Sequence, residues 1–164
     1  MGLILYHFPP SGPSRGALLC AKAVGVDIDV QIINLFKKEQ LKEDFVKINP
    51  QHTVPTLVDG DVSLWDSHAI GTYLATAYSK DENLYPKDPK RRALVDQRLY
   101  FDCGTLYPRI RAICAVGWDL SPYSNVAAWV ARCSLAIPGY AEANQAGADE
   151  FGKLVRSKLA PGQL

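Results

Sequence analysis

The sequence predicts an α/β domain followed by an all-α region, and three observations carry that reading. Residues 3–79 alternate short β-rich runs with helically periodic stretches in the order β-α-β-α-β-β-α, which sets helices against a small mixed sheet. The next stretch, "SKDENLYPKDPKRR" (79–92), is polar, contains two prolines and has no periodicity, so it reads as a boundary. Beyond it only helical spacing recurs. The expected division is residues 1–80, a linker at 81–91 and a helical region at 92–164.

Each element has its own local reason. "LILYHF" (3–8) is β-rich and closed by Pro9-Pro10. "SRGALLCAKAV" (14–24) is rich in Ala and Leu at helical spacing, and Gly25 follows as a helix-ending residue. "DIDVQIINL" (27–35) is β-branched and partly alternating, a second strand. "KEQLKEDFVKIN" (38–49) carries Leu41, Phe45 and Ile48 at helical spacing. "VPTLVDGDVSLW" (54–65) holds two strands around Asp59-Gly60-Asp61, a hairpin signal. "DSHAIGTYLATAYS" (66–79) is a helix capped by Asp66 or Ser67.

In the second region, Val95, Leu99, Cys103, Leu106, Ile110 and Ile113 share one face of a long helix. Tyr100, Gly104, Tyr107 and Arg111 form a second stripe, and Pro108 is expected to kink the run. "SNVAAWVARCSLA" (124–136) is another helix, with Ser124 or Asn125 as its cap. "PGYAEANQ" adds a turn or two, and the last dozen residues read as a weakly packed tail.

Composition excludes several classes of function. The 164 residues are 48% hydrophobic, enough to bury a core, and the net charge is +1, which offers no field for nucleic acid or acidic membranes. "MGLILYHFPP" lacks a basic leader pattern and no run is long enough for a membrane span, so a cytoplasmic location is expected. Cys20, Cys103, Cys114 and Cys133 are scattered without metal spacing and are expected to be buried thiols; no metal is expected.

"PPSGPSRG" (9–16) offers two serines. Gly12-Pro13-Ser14-Arg15-Gly16 fits G-x-S-x-G, the elbow that presents a hydrolase nucleophile. The only histidines are His7, His52 and His68, so none follows late in the chain to act as the base. One small hairpin-containing sheet also cannot supply the elbow's parallel scaffold. Ser14 is therefore expected to cap a helix, and Ser11 lies at the strand-to-helix mouth where a hydrogen-bond donor is useful.

"LYHFPPSGPSRG", "NPQHTVPTL", "DSHAIGTYL" and "LYPKDP", in this order and spacing, resemble insect glutathione transferases, most similar to the epsilon class and next to the delta class. The likeness covers nearly all of residues 1–114 and resumes at "VGWDLSPYSNVAAWVARC". It implies a thioredoxin-like N-terminal domain and a helical C-terminal one, with glutathione as co-substrate and a small hydrophobic electrophile as partner. It also implies a homodimer if the family interface survives.

The resemblance assigns roles residue by residue. Ser11 matches the serine that donates a hydrogen bond to the glutathione sulfur. A free thiol has a pKa around 8.5, and such a donor beside a helix N-terminus favours the thiolate. Val54-Pro55 matches a cis-proline whose neighbouring peptide pairs with the extended tripeptide; read from the residues alone, Pro55 is a trans proline starting a strand. Asp66 and Ser67 match the helix start that takes the γ-glutamyl end. His52 matches the residue at the glycine carboxylate, with Gln40 close by; read from the residues alone, His52 is an exposed loop histidine. His68 and His7 read as packing residues. Phe8, Pro10, Tyr107 and Arg111 match the apolar electrophile site, and Arg111 also borders the glutathione site. For the Tyr107/Arg111 stripe, plain packing between the domains is an equal alternative.

One departure matters. After "RIRAIC" the chain runs directly to "AVGWDL", and against the family's pattern roughly three helices, on the order of 40–60 residues, are missing at Cys114-Ala115. The face of Val95, Leu99, Cys103 and Leu106 then loses its cover. At about 25 cal/mol per Å2, that costs several kcal/mol. The expected function is glutathione conjugation to small hydrophobic electrophiles, weakened by the deletion. The rival is a non-catalytic glutathione- or hydrophobic-ligand-binding remnant, and a third reading is a chain that barely folds. A redox role is disfavoured, because Ser11 holds the position of the usual active-site cysteine and no C-x-x-C exists.

Overall fold

Along β1 (Leu3–His7) the odd residues are buried and the even ones half-buried, so Leu3, Leu5 and His7 face one side of a sheet and Tyr6 the other. The computed structural model describes residues 2–108 and 122–157. β1 pairs in parallel with β2 (Ile28–Ile32) and antiparallel with β3 (Thr56–Asp59), which turns at Gly60 into antiparallel β4 (Val62–Trp65). The sheet order is β2-β1-β3-β4, the small mixed sheet expected from the sequence.

α1 (Gly12–Val24) and α3 (Ser67–Ala77) cover the Leu5 face. Their Ala17, Ala21, Val24, Ile70 and Leu74 close a core on Leu3, Leu5 and Leu57. The short α2 (Glu43–Ile48) covers the other face, where Phe45 packs with Phe8 and Val54 and meets the Tyr6 ring edge-on at 5.4 Å. Tyr73 donates to Asp59 at 2.6 Å, and Tyr78 donates to the same carboxylate, which ties α3 to the hairpin. That pairing holds the Asp59 carboxyl below its usual range and pushes Tyr73 up to about 12.

Local chemistry moved several boundaries. α1 begins at Gly12, so its cap is Ser11 and not Ser14; Pro13 fits the first turn because its missing N–H would have no partner there. β2 stops at Ile32 because Asn34 accepts from the Phe36 and Lys37 N–H groups and starts a 3-10 turn at Leu35–Lys37. The helix expected over 38–49 is split: Lys42 is extended, separating a 3-10 turn at Glu39–Leu41 from α2. The 78–88 segment is irregular but anchored, with the Tyr85 hydroxyl donating to Asp96 at 2.8 Å and Arg92 stacked 4.7 Å from the Tyr85 ring centre.

α4 (Pro89–Phe101) is capped by Asp88 and opens into a π-helical turn at Asp102–Leu106. Pro108 cannot donate to the carbonyl four residues back, and the wider turn just before it accommodates this. The irregularity is therefore a π turn preceding the proline. No residue of α4 is buried. α5 (Ser124–Ala136) also buries none of its residues, and Tyr123 occupies the cap position with no side-chain capping bond to the helix, so neither Ser124 nor Asn125 is its cap.

A second π turn, Ala141–Gln145, runs into α6 (Ala146–Arg156). The tail expected to be weakly packed is therefore helical through Arg156, and Gly147 presses against the Pro9 carbonyl so closely that a Cβ there would sit 2.0 Å from that oxygen. Arg15 Nε donates to Asn144 Oδ1 at 3.0 Å, a second tie between α1 and this segment. Nor are the thiols uniformly buried: Cys103 is exposed while Cys20 and Cys133 are half-buried, and all three are unpaired. Ile110, Arg111, Ile113, the Cys114-Ala115 join and residues 158–164 lie outside the described residues.

Candidate active site

Ser11 sits where β1 has ended and α1 begins, with an extended backbone (φ −77°, ψ 115°). Its N–H donates to the Phe8 carbonyl at 2.9 Å, and its Oγ accepts the Ser14 N–H at 3.3 Å. With the oxygen's lone pair engaged, the hydroxyl hydrogen is the group left to donate outward. Ser14 is fully buried inside the first turn, and its Oγ accepts the Phe8 N–H at 3.4 Å. A nucleophile cannot be placed there, which disposes of the elbow.

Ser11 opens into a cavity of about 410 Å3 lined by Phe8, Pro10, Arg15, Phe36, Tyr107 and Phe151, among others. Three of the residues expected at an electrophile site, Phe8, Pro10 and Tyr107, are thus brought together with Ser11. Phe36 and Phe151 were missed. Phe36 lies in the capped 3-10 turn just past the strand expected at 27–35, and Phe151 lies on α6, in a stretch between the expected turns and tail to which no element was assigned.

A second, larger cavity of about 800 Å3 adjoins it and shares Gly12 and Tyr107. One end is built from Val54, Pro55, Asp66 and Ser67; the other runs between α1 and α3 on one side and Val95, Leu99 and Cys103 on the other. The Val54-Pro55 bond is cis. The loop before it is held by fully buried Asn49, whose Nδ2 donates to Thr56 Oγ1 at 2.9 Å and to the Thr53 carbonyl at 3.1 Å. Sequence reasoning passed over Asn49; the Asn-Pro dipeptide in "NPQHTVPTL" was the available signal.

Asp66 adopts φ 77° and ψ 122°, a region L-residues rarely enter and one that costs on the order of 1–3 kcal/mol. Its Oδ1 accepts from the His68 and Ala69 N–H groups at 2.8 and 3.1 Å, which caps α3 and holds the conformation. His68 Nε2 lies 2.8 Å from Asp102 Oδ2, linking the start of α3 to the π turn after α4. His52 is exposed at φ 45° and lines neither cavity. Gln40 is half-buried, lines neither cavity, and its Oε1 is enclosed without a hydrogen-bond partner. His7 is buried at the end of β1, and desolvation pushes its pKa down.

Residues 1–76 match the family profile described as the glutathione S-transferase N-terminal domain. The chain is 39% identical to glutathione S-transferase D7 of Anopheles gambiae, over 95% of this chain and 98% of that protein. The chain belongs to the glutathione S-transferase family.

Solved structures of other family members agree. A delta-class glutathione transferase of Nilaparvata lugens superposes with a TM-score of 0.88 at 39% identity, over 96% of this chain and 100% of the other. An epsilon-class glutathione S-transferase from the housefly, Musca domestica, gives 0.86 at 33% identity, over 95% and 98%. The thioredoxin-like N-terminal domain and helical C-terminal domain are therefore those of a glutathione S-transferase. The alignment to the Anopheles protein runs over 213 positions, several tens more than the 164 residues this transferase possesses.

Proposed function

We propose that this chain is a transferase that joins the glutathione thiolate to small hydrophobic electrophiles, with Ser11 donating to the sulfur. The observation that carries the reading is that Ser11 caps α1 and lines an apolar cavity sharing Gly12 and Tyr107 with the cavity lined by Val54, Pro55, Asp66 and Ser67. The tripeptide backbone pairs with the peptide groups of Val54. Asp66 receives the γ-glutamyl ammonium, and the Ser67 N–H and hydroxyl receive its carboxylate at the start of α3. His52 and Gln40 meet the glycine end, and Arg111 borders both subsites.

The thiolate is favoured by the Ser11 hydroxyl and the N-terminal end of α1. The electrophile lies against Phe8, Pro10 and Tyr107, and holding the two reactants together supplies most of the acceleration. The working unit is a cytoplasmic homodimer engaged in detoxification, with residues 1–80 as the glutathione domain, 81–91 as linker and 92–164 as helical domain. The excess of aligned positions over chain length supports an internal deletion; we place it near Cys114-Ala115 and expect it to lower activity.

The test is turnover of a model aryl halide by Ser11→Ala. A hydrogen bond to a charged group contributes about 1.5–3 kcal/mol, so kcat/KM falls about ten- to a hundredfold. Ser11→Thr, which keeps both cap and hydroxyl, retains most of the rate. Equal rates for Ser11→Ala and the parent would remove Ser11 from this role.

The 800 Å3 cavity favours a second reading: a binding protein for glutathione or a hydrophobic ligand that no longer conjugates. Retention on immobilised glutathione without turnover of several electrophiles supports it, and measurable turnover ends it.

A further inference from the structure

Asp66, His68 and Cys103 come from opposite sides of the large cavity, and one ligand atom from each lies within 4.8 Å of the others. The composition read as metal-free because Asp66 and Cys103 are far apart in sequence. They are brought together by the π turn at Asp102–Leu106, which sets Cys103 beside the start of α3.

The histidine is oriented as a metal ligand requires. Its Nε2 lies 2.8 Å from the Asp102 carboxylate, an obligate acceptor, so the neutral ring carries its hydrogen there. That leaves Nδ1 with a lone pair. Nδ1 is shielded from solvent, has no hydrogen-bond partner, and lies 3.4 Å from Asp66 Oδ1, itself an acceptor. Asp66 Oδ1 also accepts from the His68 and Ala69 N–H groups at the α3 cap, and a carboxylate oxygen of Asp66, the Nδ1 lone pair and the thiol sulfur converge within 4.8 Å of one another. A carboxylate on the far nitrogen of a ligating histidine is the recurrent arrangement that fixes its tautomer and raises its basicity.

We propose that Asp66, His68 and Cys103 form a binding site for a single Zn2+, with Asp102 as the positioning residue for His68. The donor set of carboxylate oxygen, imidazole nitrogen and thiolate suits that ion, and a water completes four-coordination from the open cavity. Binding converts the Cys103 thiol to a thiolate and releases its proton to solvent. Asp66 is also the group assigned above to the γ-glutamyl ammonium. Zn2+ and glutathione therefore exclude one another, a consequence that rests on that assignment.

The experiment titrates Zn2+ into the whole chain, free of glutathione and reduced with a phosphine, against a chromophoric chelator. Co2+ as a spectroscopic probe reports thiolate ligation on the unmutated protein. The expected result is one ion per chain with a thiolate-to-cobalt charge-transfer band. Cys103→Ser and His68→Gln weaken binding at least about tenfold and abolish or shift the band, and Asp102→Asn weakens it by about ten- to a hundredfold. Cys133→Ser leaves it unchanged, and circular dichroism of each variant confirms that it is folded. Absence of the charge-transfer band in the parent, or equal affinity in folded Cys103→Ser, overturns the proposal.

A second arm measures S-methylglutathione affinity with and without Zn2+, since its blocked thiol does not form a thiolate ligand. Loss of affinity on adding the ion supports both assignments. Stoichiometric Zn2+ binding without competition upholds the metal site and instead moves the γ-glutamyl end away from Asp66.

Discussion

At the scale of single residues, Ser11 has two tasks that use different parts of one hydroxyl. Its oxygen accepts the Ser14 N–H and so caps α1; its hydrogen is the group we propose to donate to the glutathione sulfur. The role proposed for Ser11 comes from the motif order; that Ser11 rather than Ser14 caps the helix was not legible, because Pro13 sits equally well at either side of a helix start by sequence alone. His7 makes a separate, measurable contribution. Burial lowers its pKa, so below about pH 6.5 the unfolded chain takes up a proton that the folded chain resists. Stability is therefore full above pH 6.5 and declines as pH falls toward the lowered folded value. Tyr73, raised to about 12, acts oppositely at the alkaline end: the unfolded chain loses its proton first, so stability declines as pH rises from about 10 toward 12. Melting temperature measured across pH should thus fall on both flanks. In folded His7→Gln the decline between about pH 6.5 and 5 should flatten; a parent profile without that acid decline contradicts the burial argument.

At the scale of elements, strong periodicity was readable and closure was not. The strands, α1, α3 and α4 followed from spacing, and α3 from its Asp66 cap as well, whereas the early end of β2 depends on Asn34 competing with the backbone, which a periodic pattern does not register. α6 is the instructive case. Its residues Phe151 and Leu154 close the Ser11 cavity, and its seat depends on Gly147 meeting the Pro9 carbonyl, a contact visible only once distant residues meet. Gly147→Ala places a Cβ 2.0 Å from that oxygen and must push the helix away. The expected cost is about 1–3 kcal/mol, which at this chain length lowers Tm by about 2–4 °C per kcal/mol. Because α6 lines the apolar cavity and not the Val54–Ser67 wall, KM for the electrophile should rise while glutathione affinity holds. An unchanged Tm and an unchanged electrophile KM would show that α6 is not seated by this contact.

At the scale of the whole molecule, the N-terminal half has a closed core, whereas among the described residues of the helical half burial is sparse. Leu5, Leu57, Ile70 and Leu74 are fully buried, yet neither α4 nor α5 buries a residue, and Trp129 and Leu135 are 57% and 88% exposed. Of the apolar face expected on the long helix, Val95, Leu99 and Cys103 border the 800 Å3 cavity. The deletion read at Cys114-Ala115, which lies outside the described residues, led to the expectation of a lost cover; that a cavity lies beside Asp66 and Ser67 was not legible, since it depends on where α4 lies against α1 and α3. The central claim is that the glutathione wall and Ser11 still work together despite this opening. The most direct measurement is a calorimetric glutathione titration followed, on the same sample, by conjugation of an aryl halide. The account predicts saturable binding of one glutathione per chain together with turnover above the uncatalysed rate; saturable binding with no turnover of any of several electrophiles would contradict it.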